Sequence, residues 1–456
     1  MSEQENPLKQ SFTQKNGLFL KITLIVCLTL LMLIPASMVR GLISDRTEIK
    51  TEAISEIGEK WGKEQTVIGP ILTIPYKRII KVQKSATNEY EFIEKINQIH
   101  ILPDELKVNS HVIPQRLNRG IFEVAVYDSQ TTFKGFFADF NPSSLGIAMN
   151  DLLLYQAFIT VGISDIRGID KQVILNWGNE DKPFSAGSEI MDKGLIRTGI
   201  HATTELENKG QLIKGADFSF DLNLKGSDHI YFTPVGKTTQ VSMNSSWPSP
   251  SFNGTFLPNT DDKHISQEGF KTSWDIIDLN RSYPQQWTNQ KHDIKASAFG
   301  VDFFIPADNY QRSERSIKYA ILFIGLTFLV FFFVEIFNKK AIHPIQYTLV
   351  GLALCLFYTL LLSISEYTSF DIAYLLSSSL TLLLVAGYVK AVLKNTRFTL
   401  LLSGTLIVLY GFIFIIIQME NLALLTGSLG LFLILGFVMY FSRKIDWYKL
   451  NSEVKL

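Results

Sequence analysis

The chain has 456 residues and a mass of 51.6 kDa, more than one small domain requires. Lys+Arg and Asp+Glu both number 43, and the zero formal charge argues against a basic nucleic-acid binder and against an acidic-tail protein. A mean hydropathy of +0.16, with 19% charged residues and 33 Phe, indicates a membrane protein with a large soluble part.

Residues 1–17 are polar and are expected to form a cytoplasmic N-terminus. Residues 18–39 are the first expected transmembrane helix: Ile22–Val39 carries no charge, and Lys21 is placed to snorkel at its start. Ala36-Ser37-Met38 makes a poor cleavage site, so an uncleaved anchor is expected rather than a signal peptide. Residues 40–61 read as an amphipathic stalk helix continuing the span outward. Asp45 and Glu48 have capping-box spacing, and Ile49, Ala53, Ile57 and Trp61 recur every fourth residue.

Beyond Trp61 the hydrophobic period changes to two. Leu106-Val108-Ser110-Val112, Phe122-Val124-Val126, Ala157-Ile159-Val161-Ile163 and Val173-Leu175-Trp177 alternate with their neighbours. Phe218-Phe220-Leu222-Leu224 and Val241-Met243-Ser245-Trp247 do the same. Short strands separated by turns predict an inserted β-rich, antiparallel, sandwich-like domain over residues 62–316. No cysteine lies between Arg40 and Ser316, so this domain has neither a disulfide nor a thiolate zinc site.

Chemistry is hard to find in it. GxSxG, HExxH, GxxxxGK[ST] and a helix-opening GxGxxG are all absent. Gly236-Lys237-Thr238 has the end of a phosphate loop, but Tyr231 stands where the earlier glycine belongs, and a hairpin turn is the simpler reading. The seven histidines show no i,i+4 pair and are read as surface or half-buried structural residues. Asp261-Asp262 lies in a turn-forming loop without the Gly and Glu of a calcium loop. No catalytic, cofactor or metal residues are assigned, and a non-enzyme is expected.

Five further spans are expected at residues 317–337, 347–365, 372–389, 398–419 and 422–441, followed by a cytoplasmic tail, 442–456. That makes six transmembrane helices in all. Lys339 and Lys340, then Lys390, Lys394 and Arg397, then Arg443, Lys444, Lys449 and Lys455 occupy alternate connections. The intervening Glu366–Asp371 and Glu420–Asn421 have no Lys or Arg. This bias predicts both termini in the cytoplasm and residues 40–316 outside, which in a diderm bacterium is the periplasm. Lys21, Lys318, Glu335 and Glu366 fall near the rims, which disfavours an ion-coupled transporter. The last four spans align as two hairpins, with Gly351 and Phe357 recurring as Gly404 and Tyr410. That is either a duplication or a chance likeness of apolar sequence.

Three passages are distinctive. Trp61-Gly62-Lys63-Glu64-Gln65-Thr66-Val67-Ile68-Gly69-Pro70 is the first. Trp247-Pro248-Ser249-Pro250-Ser251-Phe252-Asn253-Gly254-Thr255-Phe256-Leu257-Pro258, followed by Gly269-Phe270 and Trp274, is the second. His343-Pro344-Ile345-Gln346-Tyr347, running on to Ser365-Glu366, is the third. Together they resemble the CreD family of bacterial inner-membrane proteins, from about Leu18 to Tyr440. The resemblance implies a role in cell-envelope integrity, under an envelope- and nutrient-responsive two-component system, and transfers no catalytic residue. Trp61, Gln65, Trp247, Pro248, Phe252, Gly254, Pro258, Phe270, Trp274, His343, Gln346 and Glu366 are therefore candidates for a partner surface or a structural signature. For Phe252, Phe256 and Trp274, burial is the expected role. The expected partners are membrane lipids and a periplasmic or inner-membrane protein, with no nucleic acid; the oligomeric state is not indicated. A permease or lipid-transport module in the last five spans, and a periplasmic enzyme acting on cell-wall material, are the rival readings.

Overall fold

The computed structural model describes residues 17–83, 90–288, 290–303, 309–338, 342–419 and 423–443. It divides into Thr51–Pro306 and a second unit made of the chain before and after that stretch. Helix α1 (Gly17–Leu31) is followed, across Met32, by α2 (Leu33–Trp61), and the division falls within α2. Asp45 therefore lies inside a helix and does not start one. A cap is needed only where the first N–H groups lack carbonyl acceptors, and here the preceding apolar turns supply them.

Among the described residues the β-rich unit holds two large sheets, of nine and eight strands, and a two-stranded sheet of Asn208–Lys209 and Leu212–Ile213. In the first, the long strand β1 (Gln65–Gln83) pairs with β2 (Tyr90–Ile101), with Phe158–Ile163 and with His229–Phe232. In the second, Glu105–Arg119, Phe122–Phe137 and Ala216–Ser227 lie side by side. Alternation along these strands sends every second side chain inward. In Ala216–Ser227, Phe218, Phe220, Leu222 and Leu224 are buried while Asp221 is exposed. Phe158–Ile163 is buried at all six positions, as a strand covered on both faces should be. Both inner faces feed one core: Phe133 meets Phe232 edge-on at 6.1 Å, and Trp274 meets Phe299 at 5.4 Å.

Two features depart from expectation. The sheets are not wholly antiparallel, since β1 runs parallel to His229–Phe232 and Thr238–Ser245 runs parallel to Glu105–Arg119. A period of two shows which face of a strand is apolar and is silent on the direction of its neighbour. Gly236-Lys237-Thr238 is also no hairpin. His229–Phe232 belongs to the first sheet and Thr238–Ser245 to the second, so the chain crosses between sheets there.

The second unit adds α3 (Asn309–Lys318), α4 (Ala320–Asn338), α5 (Pro344–Ser365), α6 (Phe370–Leu393), α7 (Thr396–Gln418) and α8 (Ala423–Ser442). Among the described residues, five helices are long and apolar enough to cross a membrane: Phe19–Trp61, Ala320–Phe337, Pro344–Ser365, Phe370–Val392 and Thr396–Gln418. Leu425–Tyr440 is a shorter apolar helix. Residues 309–316, expected within the β-rich domain, instead belong to α3 and the helical unit. Two of the four residues on its buried stripe, Tyr310, Ser313, Ser316 and Ile317, are serines, so its helical period is muted in sequence.

Candidate functional site

Most of the distinctive residues hold the fold together. Gln65 is fully buried at the start of β1. Its amide donates to the carbonyls of Asp165 (2.9 Å) and Lys225 (3.0 Å), and its side-chain oxygen accepts from the Asp165 N–H (3.2 Å), tying three segments together. Trp61, half-buried at the end of α2, donates to the Tyr127 carbonyl at 3.3 Å. Trp247, Phe270 and Trp274 are buried, while Pro248, Phe252 and Pro258 are half-buried. Phe252 stands edge-on to both Phe270 (5.7 Å) and Trp274 (6.0 Å), and the Trp274 indole donates to the Phe256 carbonyl (3.3 Å). Gly254 has a φ of 101°, and a Cβ there would meet the Ala298 carbonyl oxygen at 2.3 Å, so glycine is required. Phe252, Phe256, Phe270, Trp274 and Phe299 thus form one aromatic cluster, while Trp247 packs edge-on against Phe303 at 6.1 Å.

In the helical unit, His343 and Gln346 make a reciprocal cap at the start of α5. His343 Nδ1 accepts from the Ile345 N–H (3.3 Å), and Gln346 Oε1 accepts from the His343 N–H (3.2 Å). Glu366, after the other end of α5, accepts from the Tyr310 hydroxyl (3.2 Å) and pairs with Arg46 (3.3 Å). The structure does not bring these three residues to one site. Glu335 is more deeply placed than its position near a rim suggested. It pairs with Lys21 and accepts from the Ile342 N–H (3.1 Å) and the Tyr347 hydroxyl (3.2 Å).

Among the described residues, no three His, Cys, Asp or Glu side chains gather where they would hold a metal ion. His100 departs from the surface or half-buried reading, because it is buried, with Nδ1 3.1 Å from the Thr73 hydroxyl and its ring 5.4 Å from that of Trp287. Burial lowers its pKa from 6.5 to about 4. The unfolded chain therefore takes up this proton first. Stability is full above about pH 6.5 and falls as pH drops toward 4, by up to about 3 kcal/mol from this residue. The measurement is urea unfolding across that pH range, where His100→Gln is expected to flatten the dependence.

What the structure offers to a partner lies elsewhere. From Lys77 onward β1 pairs only with β2, and β2 pairs only with β1 from Tyr90 to Gln98, among the described residues. This two-stranded ribbon exposes Ile79 and Phe92 (both 71%), Tyr90, Ile93 and Ile96. Cross-strand register sets Ile79 beside Glu94, Lys81 beside Phe92 and Lys77 beside Ile96, so Ile79, Phe92 and Ile96 share a face. Lys77 pairs with Glu94 at 2.6 Å, and the Lys81 ammonium lies 3.9 Å from the centre of the Tyr90 ring. At the ribbon's base is a groove of about 440 Å³ lined by Tyr76, Lys77, Ile79, Glu94, Ile147 and Asp151. Free strand edges next to exposed apolar side chains form a pairing surface, and the lysines discourage indiscriminate pairing. Sequence reasoning passed over this ribbon. Its signal is weak, since Lys77, Lys81 and Glu94 interrupt Ile79, Phe92 and Ile96 on one face, and periodicity alone does not reveal that no sheet opposes it.

Comparison with known proteins agrees with the architecture. The family model described as "Inner membrane protein CreD" matches residues 17–448. The protein of that name from Escherichia coli (strain K12) is 31% identical over 440 residues, covering 95% of this chain and 94% of the relative. With apolar helices suited to a bilayer and a match along nearly its whole length, this chain belongs to the CreD family of inner-membrane proteins.

Proposed function

We propose that this is a non-enzymatic inner-membrane protein that supports cell-envelope integrity by docking an envelope component or protein partner on its β-rich unit. The observation that carries the reading is the ribbon: a β arm whose edges are free among the described residues, with exposed Ile79, Phe92 and Ile96, is costly to maintain unless something covers it. In this reading the chain crosses the membrane six times, Leu425–Tyr440 included, with cytoplasmic termini and a periplasmic β-rich unit. Supporting it, Lys390, Lys394, Arg397 and Arg443 sit in alternate connections of the helical unit. Arg46 and Arg312, by contrast, are matched to Glu366 and Asp371. Lys339, Lys340, Glu420, Lys444, Lys449 and Lys455 lie outside the described residues. The solute-permease alternative would need a polar conduit. The cleft of about 520 Å³ in the helical unit has Thr405 as its one polar side chain, and so does not favour it.

One experiment tests both docking and orientation. In a chain with Cys27→Ser and Cys355→Ala, exposed Ile79→Cys takes a membrane-impermeant photoreactive maleimide in spheroplasts, whereas Thr396→Cys stays unlabelled. Illumination then yields a discrete adduct with one envelope component, and Phe92→Ser weakens the adduct severalfold and lowers envelope protection. Equal labelling at both positions would remove the topology. Full protection by an Ile79→Ser/Phe92→Ser chain would remove the ribbon as the docking element.

A further inference from the structure

The cleft of the helical unit lies between α4, α7 and α8, and Leu326, Val330, Phe333, Phe398, Gly404 and Phe437 are among its lining residues. Its wall on α4 runs from Leu326 to Phe337, which at 1.5 Å per residue is about 16 Å, close to half of a ~30 Å bilayer core. Gly404, on its wall, borders open space, since a Cβ there would meet nothing within 4 Å. Gly351, its counterpart in the apparent repeat, does the opposite: a Cβ there would meet Met32 and Phe328 at 2.8 and 2.9 Å, so that glycine closes a helix contact. Gly351 thus lets α5 pack closely on Met32 and α4, while Gly404 borders open space beside the cleft.

Charge gathers at one end of this void. Arg397 lies in the first turn of α7, next to the lining residue Phe398, and Arg443 follows α8, five residues beyond the lining residue Val438. Lys390 and Lys394 end α6 on the same connection. All four side chains are exposed, and Glu335, the acid on α4 beside the lining residue Val334, is already matched by Lys21. A bilayer supplies any apolar cleft with acyl chains, so apolarity alone selects no occupant. Basic residues at the ends of the helices that line it, Arg397 on α7 and Arg443 after α8, do.

We propose that the cleft binds one acyl chain of an anionic phospholipid, with the lipid phosphate held by Arg397 and Arg443. The guanidinium fork matches phosphate oxygens in pairs, and basic residues at a lipid surface each strengthen anionic-lipid binding roughly fivefold. This binding is independent of what the β-rich unit docks, so the failure of either reading leaves the other standing.

The test uses full-length Phe437→Trp reconstituted in phosphatidylcholine vesicles, with quenching of the added indole by brominated phosphatidylglycerol or brominated phosphatidylcholine. The signal is read against the same chain without the substitution. The expected preference for phosphatidylglycerol is about tenfold or more, from two arginines. It falls to within about twofold in Arg397→Gln/Arg443→Gln, while Gly404→Leu, which has room for its side chain, reduces quenching by both lipids. Equal quenching by the two lipids would overturn the headgroup assignment. Unchanged quenching in Gly404→Leu would overturn the cleft. Should Phe437→Trp fail to insert, Val408→Trp in the same cleft gives the same readout.

Discussion

Replacing Trp274 by alanine is expected to destabilise the β-rich unit by about 3–5 kcal/mol, the usual cost of truncating a large core aromatic. The side chain is 1% exposed, packs against Phe252 and Phe299, and has its indole N–H on the Phe256 carbonyl. Alanine would lose the apolar contacts, open a void between the sheets and leave that carbonyl without its donor. Urea unfolding of the full chain in detergent, followed by the β-sheet circular dichroism signal, reads the effect. Trp61→Ala should cost clearly less, because that ring is half-buried and one face carries the Lys225 ammonium 5.4 Å from its centre. An unchanged transition in Trp274→Ala, together with lost envelope protection, would make the ring a recognition surface and contradict its burial.

A second large effect is expected at Glu335. Its carboxylate meets Lys21 from α1, the Ile342 N–H and the Tyr347 hydroxyl, and the side chains of Lys21 and Glu335 are 13% and 9% exposed. Glu335→Ala strands a positive charge among spanning helices. Breaking such a pair from one side typically costs about 3–5 kcal/mol, whereas removing both charges costs far less. Thermal unfolding in detergent should therefore show a large loss in Glu335→Ala and substantial recovery in Lys21→Met/Glu335→Leu. If the double variant is no more stable than the single one, the pair is not what holds α1 against α4.

The comparison of Trp274 with Ile79 shows where reading a sequence stops. Both stand in β-strands, but Trp274 lies in a clean alternation, whereas Ile79 has Lys77 and Lys81 beside it on its own face. Trp274 is internal because the second sheet packs on Phe299 of the first, and Ile79 is exposed because β1 outruns every partner except β2. Likewise, a boundary drawn where the next apolar run starts, at residue 317, left Ser313 and Ser316 with the β-rich stretch, although they lie on the buried face of α3.

The sequence by itself determined the apolar helices, the β-rich character of the stretch between them, and the family. Each of these is written in residues close together along the chain, as a run of ~20 apolar positions or an alternation of period two. Only the tertiary structure decided the parallel pairings, the Lys21–Glu335 pair joined across 314 positions, the buried His100, the bare ribbon and the cleft beside Gly404. Those depend on which surfaces meet when the chain closes. Local periodicity states that a face must be covered, but the covering element comes from anywhere in the chain, or from none of it.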